Sequence, residues 1–427
     1  MMKLLVFLAA VIAASASMPE EPDKWQRYKS EMSQLDYVSP RKDCNEPYVH
    51  GMSFDCSITS SNDVPSSVHK LRPGDVAVIG AFGDSITAGN GALACTLLEV
   101  FNEYRGTSWS IGGDGTFETA LTLPNILRLY NPDLIGYSLG VGNVSSNTSY
   151  LNCAVPKSRS NAMPGQAEDL VNRIYADPTI DVANDWKVIT LFIGGNDVCE
   201  FCKDRPNYTK EKYIERITKA LDHLHDKLPR TLVNVVGLIN VTQLTKQSEF
   251  ICGLAHAIIC SCIKNLDYNE TLEVEQLTRD YQEVLRDLAN SGRYDTNDDF
   301  TVVYQPFMEN TQFPADENGD FDKSFMSPDC FHLSAKGHAF AAKELWNNML
   351  QPVGHKSMEW DPYSKSLSCP TENMPYFGTN KNSMIDETST ENPNRRTTPT
   401  GNGKAALSPH NAIISLMAFL IISMFLH

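Results

Sequence analysis

Apolar and polar positions along the chain follow two periods. Residues 76–81, 187–193, 232–241 and 300–304 are short, nearly continuous apolar runs rich in Val, Ile, Leu and Phe. Runs of this length bounded by Gly, Pro or Asn predict strands buried on both faces. Two weaker stretches, 109–113 and 134–139, predict short strands beside them. Between these runs the period changes to that of a helix. Residues 163–175 place Leu170, Val171 and Ile174 on one side, and 210–228 place Tyr213, Ile217, Ala220, Leu221 and Leu224 on one side. Helices are also predicted over 117–130, 271–290 and 335–350, the first kinked or split by Pro124. Buried strands alternating with helices imply an α/β fold whose mainly parallel sheet is covered on both faces.

Periodicity stops near Gly354, and residues 357–411 are rich in Asn, Thr, Ser and Pro. A flexible stalk is therefore expected over 354–411. Residues 17–70 read as an irregular lead-in on the domain surface. The first 16 residues have the layout of a signal peptide: Lys3, an apolar run from Leu4 to Ala14, then Ala14-Ser15-Ala16. At the other end, residues 412–427 are apolar, behind a polar spacer and the small residues Thr400-Gly401-Asn402-Gly403. Small residues, spacer and apolar tail match a GPI-attachment signal, with a short transmembrane anchor as the competing reading. Either one tethers the protein outside the cell.

Charge and cysteine content agree with that location. The 36 basic and 52 acidic side chains give a net charge of −16, which argues against nucleic acid as a partner and leaves lipid open. Glycosylation sequons begin at Asn143, Asn147, Asn207, Asn240 and Asn269. The 11 cysteines are expected to form mostly structural disulfides in an oxidising compartment, with Cys44–Cys56 the local candidate and at least one thiol left over. Cys199 and Cys202 could also form a redox or zinc pair, but zinc lacks a second pair at ligand spacing.

The candidate chemistry lies at strand ends, where ligands bind in parallel α/β sheets. The first strand runs into Gly83-Asp84-Ser85. A serine on such a turn exposes its hydroxyl and aims its N–H into the same cavity, although an N-cap serine in an ordinary βα loop fits as well. Asn196 follows Gly194-Gly195 at another strand end. Its amide can donate to an oxyanion, or Asn196-Asp197 can serve as turn residues. Asp329 and His332, three apart before the last helix, can form a carboxylate–imidazole pair facing Ser85. Taken alone, His332 fits a surface position beside a helix capped by Ser334.

Four blocks in order are more specific than any one. Gly80-Ala-Phe-Gly-Asp-Ser-Ile-Thr-Ala-Gly-Asn-Gly-Ala92, Leu151-Asn-Cys-Ala-Val-Pro156 with Met163-Pro-Gly-Gln-Ala167, Gly195-Asn-Asp-Val-Cys-Glu-Phe-Cys202 and Ser327-Pro-Asp-Cys-Phe-His-Leu-Ser334 resemble the GDSL or SGNH hydrolases, and among them the membrane-associated phospholipase B branch. The resemblance implies a three-layer α/β/α SGNH-hydrolase (flavodoxin-like) domain, here over 71–353. It implies Ser85 as nucleophile, His332 as base and Asp329 as its orienter. The oxyanion donors would be the Ser85 N–H, the Asn196 side chain and a backbone N–H at position 157. The family has glycine at that last position, whereas this chain has Lys157. The implied activity is metal-free and cofactor-free hydrolysis of acyl esters in phospholipids and lysophospholipids at a membrane or micelle surface, with no obligate protein partner. The alternatives are an esterase acting on other lipid or acetyl esters, and a catalytically weak lipid-binding surface protein.

Overall fold

The computed structural model describes residues 48–383, apart from 49, 59, 247–249, 264–265 and 317–320. The signal-like segment, Cys44, the end of the stalk and the apolar tail lie outside the described residues. Four strands form the sheet: β1 (Val76–Gly83), β2 (Trp186–Phe192), β3 (Thr231–Val236) and β4 (Phe300–Gln305). They pair in sequence order, and every pairing is parallel. The α-helices are α1 (Ser85–Ala88), α2 (Leu123–Tyr130), α3 (Met163–Ala176), α4 (Gly195–Glu200), α5 (Lys210–Lys227), α6 (Phe250–Ile259), α7 (Tyr268–Asn290) and α8 (Ala335–Leu350).

Parallel neighbours need crossovers, and α3, α5 and α7 lie in the three of them. Right-handed crossovers between successive strands put such helices on one face. There α5 packs between α3 and α7, while α2 and α8 pack together and α8 also contacts β4. The result is the expected three-layer α/β/α arrangement. On α5 the five inward positions read from the sequence are all buried. Tyr213 stacks on Tyr281 of α7 with ring centroids 4.0 Å apart, and its hydroxyl donates to Ile193 O at 3.1 Å. That bond ties the helix to the end of β2, where the candidate site begins.

Several expectations need correction. Stretches 109–113 and 134–139 do not form strands. They make isolated bridges, Val78 to Ile135 and Gly112 to Ser138. Glycine interrupts both, and Gly136 at φ 97° lies so close to β1 that a Cβ would sit 2.3 Å from Ile79 O. Irregular backbone therefore covers this edge of β1, with Ala81 N–H donating to Leu151 O at 3.0 Å and Val155 N–H to Gly83 O at 3.2 Å. Pro124 does not kink a helix. It lies in the first turn of α2, whose N-cap is Thr122. There the missing N–H of proline costs nothing.

The stalk does not begin at 354. Residues 355–383 pack on the domain, with Trp360, Leu367 and Phe377 buried. Lys343 Nζ donates to Asp361 O at 2.6 Å and Ser364 O at 3.0 Å, and Trp346 Nε1 donates to Ser368 O at 2.8 Å. Cys56 pairs with Cys369 across 313 residues, not with Cys44. The returning tail lies beside the lead-in, so the bond follows three-dimensional proximity and not spacing. Met52 and Val68 of the lead-in belong to the same core. The other described pairs are Cys199–Cys260, Cys202–Cys262 and Cys252–Cys330. Cys199 and Cys202 thus belong to separate disulfides, not to a joint redox or zinc pair. Cys153 is free and buried.

Replacing Cys56 and Cys369 together by serine is expected to lower the unfolding free energy by about 2–5 kcal/mol. Denaturant unfolding measures this, and limited proteolysis should cut the 355–383 segment in the variant before the wild type.

Candidate active site

At the end of β1 the chain has little choice. Gly83 adopts φ 154°, and a Cβ there would lie 2.2 Å from Phe192 O. Asp84 then caps α1, its Oδ1 accepting from Ile86 N–H at 3.0 Å. Gly89, at φ 75°, ends this four-residue helix. Ser85 is its first residue, so its N–H has no acceptor within the helix. Asp84, and not Ser85, is the cap, and the Ser85 side chain is left for other work.

That side chain meets the last block of the sequence. His332 Nε2 lies 2.9 Å from Ser85 Oγ, and His332 Nδ1 lies 2.6 Å from Asp329 Oδ2. With Nδ1–H donating to the carboxylate, Nε2 is the acceptor for the serine hydroxyl. The intervening turn is tight because Cys330 adopts φ 58°. Asp329 Oδ1 accepts from the Phe331 and His332 N–H groups, both at 3.0 Å. Ser327 Oγ donates to Gly91 O at 2.6 Å, which joins this turn to the serine loop. The Cys252–Cys330 disulfide and the His256 Nε2 contact with Cys330 O at 2.9 Å fix it from α6. Ser334 does cap α8, as its sequence position suggests, and His332 is nevertheless buried.

Asp329 is fully buried, and burial alone would raise its carboxyl. The adjoining His332 charge and the hydrogen bonds outweigh this and hold it below the ordinary value. Asp84 behaves oppositely. Burial pushes it up to about 7, against the Ile86 N–H and the nearby His332 charge.

Asn196 sits in the first turn of α4, after Gly194 at φ 127°. Its Nδ2 donates to Ser158 O at 3.0 Å, which orients the amide and leaves one amide hydrogen for another acceptor. Asp197 is a brace: buried, pushed up to about 6 by desolvation, it accepts from the Ser160 N–H at 2.9 Å and from the Ser160 hydroxyl. Lys157 completes a turn. Ser158 N–H donates to Val155 O at 3.1 Å, Pro156 takes the second position and Lys157 the third at φ 64°. This is the type II pattern, in which glycine is favoured at that third position. The lysine keeps the backbone shape a glycine would have. Arg105, wholly buried and paired with Glu103, supports the same loop by donating to Asn152 O at 2.8 Å and Ala154 O at 2.7 Å. Its isolated position in the sequence carries no signal of that role.

Ser85 and Asn196 line a groove of about 720 Å³, open solvent included. Most of the remaining wall is apolar, including Ile86, Leu238, Val241, Leu244, Met308, Phe313, Phe331 and Trp360. Trp360 comes from the segment expected to be stalk. Val241 and Leu244 precede a stretch that disulfides join to α4, through Cys260, to the turn just after α4, through Cys262, and to the His332 turn, through Cys252. Among the sequons, Asn143, Asn147 and Asn269 are exposed and Asn207 is half-buried against Arg216. Asn240 is also half-buried. It lines the groove, and its Oδ1 accepts from the Thr242 N–H at 3.0 Å and Oγ1 at 2.9 Å.

The folded state holds the Asp84 proton more tightly than the unfolded chain does. Protonation therefore stabilises the fold, and that contribution is lost as pH rises from 3.8 to about 7. Asp84→Asn removes the dependence, so its gain in unfolding free energy over wild type should be larger at about pH 8 than at about pH 5. Denaturant melts at both values measure it, and equal gains would refute it. Lys157→Gly should add about 1 kcal/mol of stability by relieving the left-handed backbone, with activity retained.

The GDSL-like lipase/acylhydrolase family profile matches residues 79–345. The membrane-associated phospholipase B1 of Mus musculus is 46% identical over 345 residues, which is 78% of this chain and 23% of that protein. The membrane-associated phospholipase B1 of Homo sapiens is 45% identical over 333 residues, 76% of this chain and 23% of that protein. This chain thus spans about a quarter of the length of these relatives. A solved phospholipase A1 from Streptomyces albidoflavus matches 62% of this chain and 95% of its own at 13% identity and TM-score 0.27. With the profile spanning both the Ser85 turn and the His332 turn, the chain belongs to the GDSL-like lipase/acylhydrolase family.

Proposed function

We propose that this protein is a serine ester hydrolase that removes acyl chains from phospholipids and lysophospholipids. The observation that carries the reading is the line from Asp329 Oδ2 through His332 to Ser85 Oγ, at 2.6 and 2.9 Å, opening on an apolar groove. A neutral hydroxyl is a weak nucleophile and needs a base in contact. In the first step Ser85 Oγ attacks the acyl carbonyl while its proton passes to His332 Nε2. Asp329 stabilises the imidazolium that results. The oxyanion receives the Ser85 N–H and the second Asn196 Nδ2 hydrogen, with the Lys157 N–H as third donor. Collapse expels the alcohol, which takes the proton from His332, and leaves an acyl ester on Ser85. Water, deprotonated by His332, then attacks that ester; the Ser85 Oγ–acyl bond breaks, Ser85 Oγ takes the proton back from His332, and the fatty acid leaves.

The groove suits an acyl chain, and the likeness to membrane-associated phospholipase B1 supports the phospholipid class. Lys157 motivates the reading as a weak, lipid-binding protein, but its glycine-like φ supports an intact donor loop instead. The disulfides support an oxidising, extracellular setting. No helix of the described residues is long and apolar enough to cross a membrane. We ascribe tethering, on the outer face of the plasma membrane, to the small residues, polar spacer and apolar run of residues 400–427, and the exposed Asn143, Asn147 and Asn269 are the favoured glycan sites.

Ser85→Ala should cut fatty-acid release from lysophosphatidylcholine by at least ~10⁴-fold. A panel of lysophosphatidylcholine, phosphatidylcholine vesicles, triacylglycerol and acetylated sugar tests the substrate class. Hydrolysis of acetyl esters alone would overturn the lipid reading, and unchanged release by Ser85→Ala would overturn the nucleophile.

A further inference from the structure

We infer that Gln166 is a positioning residue that sets the nucleophile and the oxyanion donors in register with one another. The inference rests on the ester-hydrolase reading of the site and extends it to a side chain that touches no reacting atom.

Gly83 is held differently on its two edges. On one side it pairs with Phe192 of β2. On the other side no regular strand follows, because the chain beside β1 is irregular there. Gln166, in the first turns of α3 and buried, fills that place. Its Oε1 accepts from Gly83 N–H at 2.9 Å and its Nε2 donates to Gly83 O at 3.0 Å. Val155 N–H also donates to Gly83 O at 3.2 Å, and the amide completes what a neighbouring strand would do for the last residue of β1, two positions before Ser85. The other Nε2 hydrogen goes to Ser158 Oγ at 2.9 Å. Ser158 follows Lys157, and its carbonyl is the group that orients Asn196 at 3.0 Å. All three candidate oxyanion segments therefore meet at Gln166: the serine turn through Gly83, the Lys157 turn through Ser158, and the Asn196 amide through the Ser158 carbonyl.

An amide is the side chain this arrangement demands. It presents an acceptor and two donors in one plane, and all are used here. Glutamate keeps the acceptor but places a carboxylate against the Gly83 carbonyl. Methionine has similar length and supplies neither group. The expected effect falls on the transition state, because the segments coupled are those that receive developing charge, while the groove that binds the acyl chain does not include Gln166.

The test uses the full-length protein and p-nitrophenyl butyrate, which reports ester cleavage independently of lipid class. Active sites are counted by fluorophosphonate titration, so that partial misfolding does not count as slow turnover. For Gln166→Met, kcat per titrated site should fall about 10–100-fold with KM within about twofold of wild type. The affinity for an alkyl boronic acid, which mimics the tetrahedral adduct, should fall in parallel. Ser158→Ala, which cuts only one of the links, should lose about three- to tenfold in kcat, and decides the matter if Gln166→Met does not fold. A kcat per site within threefold of wild type in Gln166→Met, or within twofold in Ser158→Ala alone, overturns the inference. So does a rise in KM at constant kcat. Ser85→Ala run alongside separates the two levels. If it retains activity, the nucleophile reading fails; if it is inactive while Gln166→Met is unimpaired, only the positioning role fails.

Discussion

His332 has to touch two groups that lie far apart in sequence but only 2.9 and 2.6 Å from its ring nitrogens. Most of the local structure serves that contact. On one side, Gly83 and Gly89 bend the chain so that Ser85 begins a very short helix with its hydroxyl exposed to the groove. On the other, Cys330 takes a left-handed backbone, and Asp329 caps its own turn with two N–H groups. Ser327, bonded to Gly91 O, joins the two sides directly. A buried carboxylate is costly unless it is surrounded by donors. Asp329 has three, and its carboxyl is held below the ordinary value, whereas at Asp84 burial prevails over its N–H donors.

Much of this was legible in the chain. The buried strands appear as unbroken apolar runs because both faces of a parallel sheet are covered. The inward face of α5 follows from helical spacing alone. Ser85, Asn196, Asp329 and His332 stand out because each follows a strand end or precedes a helix within a specific block of residues. What the sequence hid depends on contacts between distant segments. Cys56 and Cys369 give no local sign that they meet, and neither does Trp360, which leaves an apparently featureless stretch to line the groove. Residues 109–113 and 134–139 have strand-like composition, but glycines interrupt both, and at Gly136 the backbone comes close against Ile79 of β1. Gln166 lies in a motif noted for its likeness to a family, yet only the structure reveals its bonds to Gly83 and Ser158.

Lys157 shows how a departure from a family pattern can leave the shape intact. The Pro156-Lys157 turn needs a positive φ at its third position, and the lysine adopts it at a modest cost in backbone energy. Arg105 beneath the loop and Gln166 beside it hold the same segment through backbone carbonyls and Ser158. The loop geometry is thus set by buried polar contacts and not by the identity of residue 157 alone.

The central claim is that Ser85 is an activated nucleophile whose reactivity comes from His332 and Asp329. Reaction with a fluorophosphonate followed by peptide mapping addresses it directly, because the adduct forms only on a serine with a base in place. The account predicts a single adduct on the Ser85 peptide, lost in His332→Ala and formed much more slowly in Asp329→Asn. An adduct on another serine, or undiminished labelling in His332→Ala, would contradict it.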